Sequence, residues 1–163
     1  MAQFLSNSTT NSVVYSSGTW TTKVLPATQE VASSTTLVSV PEFKIALGKY
    51  ERMLLKYRIH WSQGGGKAQF KVLTPTPVTD GLHTAFTGVN PNNTTAILAR
   101  TTATSPSLDI DITGSAGYLE VEMNIENNAT AGDIDFMFAQ SAGDSHADKT
   151  SVLRGSYVEY MRF

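Results

Sequence analysis

Two aspartates and a histidine alternate in a polar loop near the C-terminal end of the sequence. Asp144, His146 and Asp148 stand at i, i+2 and i+4, and carboxylate and imidazole groups at that spacing could hold a divalent cation. A calcium loop of the EF-hand type needs more acidic residues and a flanking glutamate, which this segment lacks. We interpret the segment as a solvated loop and assign no metal site there.

Acidic residues also recur as pairs at i and i+2, which places both carboxylates on one face of a strand, as acid–base catalysis would require. The pairs are Asp109/Asp111, Glu120/Glu122 and Asp133/Asp135. Each pair alternates with an apolar row, which is typical of the solvent-facing side of a half-buried sheet. That interpretation leaves two uses open: attraction of a basic partner surface, or protection of strand edges against aggregation.

The glycine-rich stretch Gly64-Gly65-Gly66-Lys67 has part of a phosphate-loop pattern. Ala68 stands where that pattern requires serine or threonine, and a strand follows where it requires a helix, so we predict a turn. The three histidines, His60, His83 and His146, lie far apart, and no nucleophile elbow, zinc-protease or dinucleotide-binding motif is present.

Trp20, Trp61 and the six tyrosines are interpreted as core or interface anchors, with a sugar-binding platform as the alternative. None of these residues completes a catalytic constellation with the motifs above. We therefore assign no catalytic, cofactor-binding or metal-binding residue, and predict a protein that is not an enzyme and needs no cofactor.

The elements that carry these residues are predicted to be strands, because apolar and polar residues alternate with period two in five runs. The runs are Leu55–Trp61, Ala68–Val72, Leu108–Ile112, Leu119–Ile125 and Ile134–Phe138. The first two flank the glycine turn and are predicted to pair as a hairpin. Roughly eight strands with turn signals between them predict an all-β fold, an antiparallel, jelly-roll-like β-sandwich.

Two segments depart from this regularity. Residues 1–35 are rich in serine and threonine and poor in apolar clusters, so we predict an extended, partly ordered N-terminal arm before a β-sandwich domain over residues 36–163. Residues 74–107 contain four of the prolines and are predicted to be the least regular part, with residues 96–99 either a strand or part of a long loop.

Composition limits the number of domains and excludes several classes of function. The 163 residues suit one domain, and charged residues make up only 16%, below the usual fraction of about 25%. A net charge of −2 argues against a nucleic-acid binder that depends on a basic surface. No cysteine is present, which excludes disulfides and thiolate chemistry. No signal-peptide pattern or long apolar run is visible, so we expect cytoplasmic synthesis and no membrane contact.

Two stretches of the second half resemble a β-sandwich family found among structural proteins of tailed bacteriophages. The more specific stretch, AGDIDFMFAQS, covers Ala131–Ser141, and TSVLRGSYVE follows at Thr150–Glu159. The Ala-Gln-Ser ending and the Gly-Ser-Tyr entry into the last strand carry the resemblance, and a weaker pattern extends back to Ser33. The acidic strand Glu120–Glu126 is more charged than is usual in this family.

The resemblance implies a virion protein and brings no catalytic residues. Our first expectation is a capsid decoration, or cement, protein that binds the outer surface of the major capsid protein shell as a homotrimer and stabilises the head of a bacteriophage. The alternatives are a tail, neck or fibre accessory protein, and a carbohydrate-binding β-sandwich. Neither nucleic acid nor a membrane is an expected partner.

Overall fold

A computed structural model describes residues 5–7, 12–14, 18–64, 67–75, 83–90, 93–102, 107–113, 115–127, 129–140 and 149–163. These residues form strands and one 3-10 turn, Pro41–Phe43, and no helix among them has the length and hydropathy of a membrane span. The strands are β1 (Leu5–Asn7), β2 (Ser12–Val14), β3 (Thr21–Val24), β4 (Gln29–Ala32), β5 (Val38–Ser39), β6 (Ile45–Leu47), β7 (Arg52–Gln63), β8 (Lys67–Leu73), β9 (His83–Asn90), β10 (Asn93–Thr102), β11 (Ser107–Thr113), β12 (Ala116–Glu126), β13 (Gly132–Gln140), β14 (Lys149–Val152) and β15 (Tyr157–Arg162).

The described strands form antiparallel sheets, so the all-β prediction is confirmed. The larger sheet has eight strands in the order β10-β9-β12-β7, and beyond β7 two ribbons, β14-β4 and β15-β3, lie side by side. The smaller sheet has five strands, with β11-β8-β13 in order and both β5 and β6 paired to β13. β1 pairs only with β2 among the described strands.

The junction between the two ribbons is closed by a hydroxyl group. β14 pairs with residues 61–63 of β7 and β15 pairs with residues 53–58. Between them, the backbone N–H of His60 donates to Oγ of Ser156 at 3.0 Å, and that hydroxyl donates to the carbonyl of His60 at 3.2 Å. Gly155, with φ of +87°, supplies the left-handed conformation that this turn requires.

The two larger sheets enclose a shared aromatic core. Tyr57 of β7 lies 5.0 Å from Phe136 of β13 between ring centroids, and Trp61 lies 5.9 Å from Phe70 of β8. The apolar rows predicted from β7, β12 and β13 are all buried: Leu55, Tyr57, Ile59 and Trp61; Leu119, Val121, Met123 and Ile125; Ile134, Phe136 and Phe138. Period-two alternation therefore identified the core face of each of these strands.

The predicted hairpin between the first two runs is wrong. β7 belongs to the larger sheet and β8 to the smaller, so residues 64–66 carry the chain from one sheet to the other. Alternation indicates only which face of a strand is buried. Two strands that face each other across a core satisfy it as well as two that are hydrogen-bonded neighbours.

The segment predicted to be least regular contains a hairpin. β9 pairs with β10 and extends the larger sheet beyond β12, so the open choice at residues 96–99 resolves to a strand. The number of strands was also underestimated, because short strands such as β1 and β4 contain only three or four residues. Runs of that length carry too few residues for a periodic signal.

The second half of the segment predicted as an arm is built into the larger sheet. β3 pairs with β15 and β4 pairs with β14. Leu25 and Val31 are buried in the core, and the backbone N–H of Leu25 donates to the carbonyl of Ser156 at 2.8 Å. Residues 18–35 thus supply two strands, and a domain boundary at residue 35 stays a prediction.

Phe136→Ala is expected to lower the free energy of unfolding by about 3–5 kcal/mol, because a fully buried ring leaves a cavity. Phe136 is 0% exposed and lies within 6.1 Å of the rings of Phe43, Tyr57 and Phe70. Urea denaturation measures the change. Tyr50→Ala is the control, since Tyr50 is 73% exposed and its loss should stay within about 0.5 kcal/mol. Equal effects of the two variants would contradict this account of the core.

Alkaline pH is expected to destabilise the fold through Tyr57. Burial, and secondarily the Asp135 carboxylate, raise the pKa of Tyr57 well above its usual range. Above pH about 10 the unfolded tyrosine ionises while the folded one stays neutral, so stability present at lower pH is lost as pH rises.

Tyr57→Phe should flatten this loss, as followed by urea midpoints between pH about 8 and 11. The variant also removes the hydrogen bond from the Tyr57 hydroxyl to the carbonyl of Phe43, at 3.3 Å, so a modest loss at neutral pH is expected. Tyr50→Phe is the matched control. A pH profile of Tyr57→Phe as steep as the wild type would count against the assignment.

Candidate functional site

The surface of the larger sheet that faces away from the core is the candidate site. Directly opposite residues on paired strands share a face, and the register gives two rows across β3, β15, β7 and β12. The rows are Val24–Tyr157–Arg58–Glu120 and Thr22–Glu159–Lys56–Glu122. A third row is Met161–Leu54–Asn124. Trp20 lies on the same surface, because the Nζ of Lys56 is 6.0 Å from its ring centroid. We call these twelve residues the outer face.

Opposite charges pair across β7 and β12. Arg52 contacts Glu126 at 2.6 Å, and Lys56 contacts Glu122 at 2.6 Å. Arg58 contacts Glu120 at 3.2 Å. Each pair joins residues that are directly opposite in the strand register. The acidic row of β12 therefore already has a basic partner within this chain.

A tyrosine extends this ladder beyond Glu120. The hydroxyl of Tyr118 donates to Oε2 of Glu120 at 3.1 Å and accepts from Nη1 of Arg58 at 3.3 Å. Burial, and then the hydrogen bond to Glu120, raise the pKa of Tyr118, and the hydrogen bond to Tyr118 is the main cause that raises the pKa of Arg58. His60 packs its ring 5.1 Å from that of Tyr118. The raised pKa values keep Tyr118 a neutral phenol and Arg58 a cation at neutral pH.

A second polar cluster lies at one end of the larger sheet, beside a shallow open depression of about 510 Å³. The Glu51 carboxylate accepts from the backbone N–H of Gly48 at 2.6 Å and from Arg162 at 2.6 Å. Arg162 also donates to the carbonyl of Ala46 at 2.7 Å. These contacts connect β6 to β15, and they engage the charged groups of Glu51 and Arg162.

The residues that sequence patterns singled out do not converge where the structure describes their side chains. Asp144, His146 and Asp148 lie outside the described residues, and Asp109 and Asp111 are described by backbone alone. Asp133 and Asp135 both lie 3.7 Å from Nζ of Lys44. In the described residues, no group of three or more His, Cys, Asp or Glu side chains could hold a metal ion.

The two tryptophans and two of the histidines are also separated. Trp61 is 1% exposed in the core, whereas Trp20 is 40% exposed on the outer face. His60 is exposed on β7, and His83 begins β9. Lys67 begins β8, after the connection between sheets.

The sequence placed Lys56, Arg58 and His60 on the polar face of the β7 run, but sequence reasoning missed that this face lies beside the acidic row of β12. A usable signal was present, since the polar positions of the β7 run are mainly basic and those of the β12 run mainly acidic. Two runs with opposite charge on their polar faces are candidates for neighbouring strands.

The outer face therefore combines paired charges with partly exposed apolar side chains. It presents tryptophan, tyrosine, methionine and leucine beside carboxylate, amide and hydroxyl groups. No protein-family model matches this chain, and neither a curated protein nor a solved structure matches it.

Charge reversal at one rung of the ladder should destabilise the fold, and reversal of both residues should restore it. Glu122→Lys places two ammonium groups opposite each other and is expected to cost up to about 1 kcal/mol. Lys56→Glu combined with Glu122→Lys recreates an opposite-charge pair. Urea midpoints at low salt measure the effect, which should shrink in about 1 M NaCl because salt screens exposed charges. A double variant no more stable than Glu122→Lys would contradict the pairing.

Proposed function

We propose that the protein is a bacteriophage capsid decoration, or cement, protein that binds the outer surface of the major capsid protein shell and stabilises the head. The proposal includes a jelly-roll-like β-sandwich, an N-terminal arm before residue 18 and a homotrimeric assembly. Its first support is the resemblance of Ala131–Ser141 and Thr150–Glu159 to phage virion proteins. These stretches fall on β13, which lies in the smaller sheet, and on β14 and β15, which pair with β7 in the larger one.

The observation that carries the proposal is the attachment of the N-terminal segment to the larger sheet. β3 and β4 are hydrogen-bonded to β15 and β14, and Leu25 and Val31 are buried between the sheets. A tether that begins before residue 18 would therefore transmit force to a hydrogen-bonded sheet and not to a loose linker. A protein that holds a shell under pressure needs an attachment of this kind.

A trimer suits this role because many binding positions on an icosahedral shell of hexamers and pentamers lie at local threefold points. Three linked contacts raise avidity by about 10²–10⁴ without any single contact being strong. Closed symmetry also limits runaway association through exposed strand edges. Light scattering of the purified protein at micromolar concentration tests the assembly, and a strict monomer there, with monomeric density on the particle, would rule it out.

Copy number in purified virions tests the proposal as a whole. Quantitative mass spectrometry against the major capsid protein should give hundreds of copies per particle for a decoration protein. A few copies to a few dozen would identify the alternative, a tail, neck or fibre accessory component. Absence from purified particles would refute both.

Deletion of residues 1–17 tests the arm. The deletion must stop before Gly18, because a Cβ at that position would lie 2.5 Å from Cγ of Met161, so this part of the backbone is packed against β15. We expect a folded body that co-sediments less with decoration-free particles. Full attachment after the deletion would place the contact elsewhere, and an unfolded product would show that residues 1–17 belong to the core.

A further inference from the structure

One of the two tryptophans is exposed to solvent and the other is buried. Trp61 is 1% exposed, but Trp20 is 40% exposed on the outer face. Tryptophan is usually one of the most buried residues, and burying its ring contributes strongly to contact energies. An indole ring left open on the outer face is therefore a candidate contact point for a ligand.

The position of Trp20 is fixed from two sides. Gly18 packs so closely that an added Cβ would lie 2.5 Å from Cγ of Met161 and 2.9 Å from the carbonyl oxygen of Arg162. Lys56 places its ammonium group 6.0 Å from the ring centroid, and Glu122 holds that ammonium at 2.6 Å. A ring held this way loses little conformational freedom when a ligand stacks on it.

The charges around Trp20 select against charged ligands. Lys56 is paired with Glu122, and Arg58 with Glu120. Glu159, opposite Lys56 in register, adds a carboxylate that no described cation pairs. Nucleic acid needs a basic groove beside its stacking aromatics, which this face lacks. A cation would compete with Lys56 for the ring.

The remaining chemistry fits a neutral, hydroxyl-rich ligand with apolar C–H faces. Beside Trp20, half-buried Met161 and Leu54 lead across the sheet to the exposed amide of Asn124. The row from Met161 to Asn124 crosses two strand spacings, roughly 10 Å at about 4.8 Å each. A pyranose unit of a linear oligosaccharide has a repeat similar to one strand spacing, so about two units would span the row.

We propose that the outer face around Trp20 binds a neutral oligosaccharide. One pyranose ring stacks its C–H face on the indole of Trp20. Its hydroxyls donate to the carboxylate of Glu159 and accept from the ammonium of Lys56, and Asn124 takes the far end. The sugar site is independent of the proposed role in a virion, because all of its side chains belong to this chain.

The first test uses the unaltered protein and its two indole N–H signals in NMR. Cellohexaose, maltohexaose, mannohexaose and galactohexaose are titrated separately, with a heparin hexasaccharide as the charged control. At least one neutral hexasaccharide should shift the Trp20 indole signal and leave that of Trp61 in place, and heparin should not bind more tightly. A panel in which no neutral sugar shifts Trp20, or in which heparin binds best, would overturn the proposal.

The second test compares variants by calorimetry with the sugar that binds. Trp20→Ala should weaken binding at least tenfold, Trp20→Phe less, and Tyr50→Ala, an exposed aromatic outside the outer face, not at all. Trp61 fluorescence reports whether each variant is folded. Equal binding by Trp20→Ala and the wild type would refute the site. So would a change of oligomeric mass in Trp20→Ala, which would assign the face to contact with a second copy of the chain.

Discussion

The structure depends on the complete pairing of β7. This strand is bonded to β12 along one edge and to β15 and β14 along the other. Its inner side chains meet the smaller sheet, and its outer ones meet the carboxylates of β12. A central strand satisfied on both edges and both faces leaves few alternatives for its register, because a shift by one residue would expose the aromatic row and bury the basic one.

The outer face follows from the same constraint. Burial of the inner side chains sets the register of β7 and β12. The same register places the opposite charges on the outer side directly across from each other. Exposed pairs of this kind add little stability individually. Their larger effect is on the surface charge, because they neutralise Lys56 and Arg58 within the outer face.

Alternation of residue type predicted the inner rows of β7, β12 and β13. It could not predict which strands are neighbours, because pairing and facing across a core bury the same side chains. The hairpin between β7 and β8 was wrong for that reason. The exposure of Trp20 could not be predicted either, since it depends on packing of Gly18 against β15, more than 140 residues later in the chain.

The pairing of β3 with β15 has a consequence for folding during synthesis. Residues 21–24 form backbone hydrogen bonds with residues 157–160. β3 therefore cannot pair until nearly the whole described chain has been synthesised. Contacts of such sequence separation slow folding, since a long loop must close before they form. During synthesis, β3 therefore has an unpaired edge. Exposed Val24 lies within this strand, and exposed Trp20 directly precedes it. The serine and threonine around them keep that waiting segment hydrated, which gives the low apolar content of the N-terminal region a role in biogenesis.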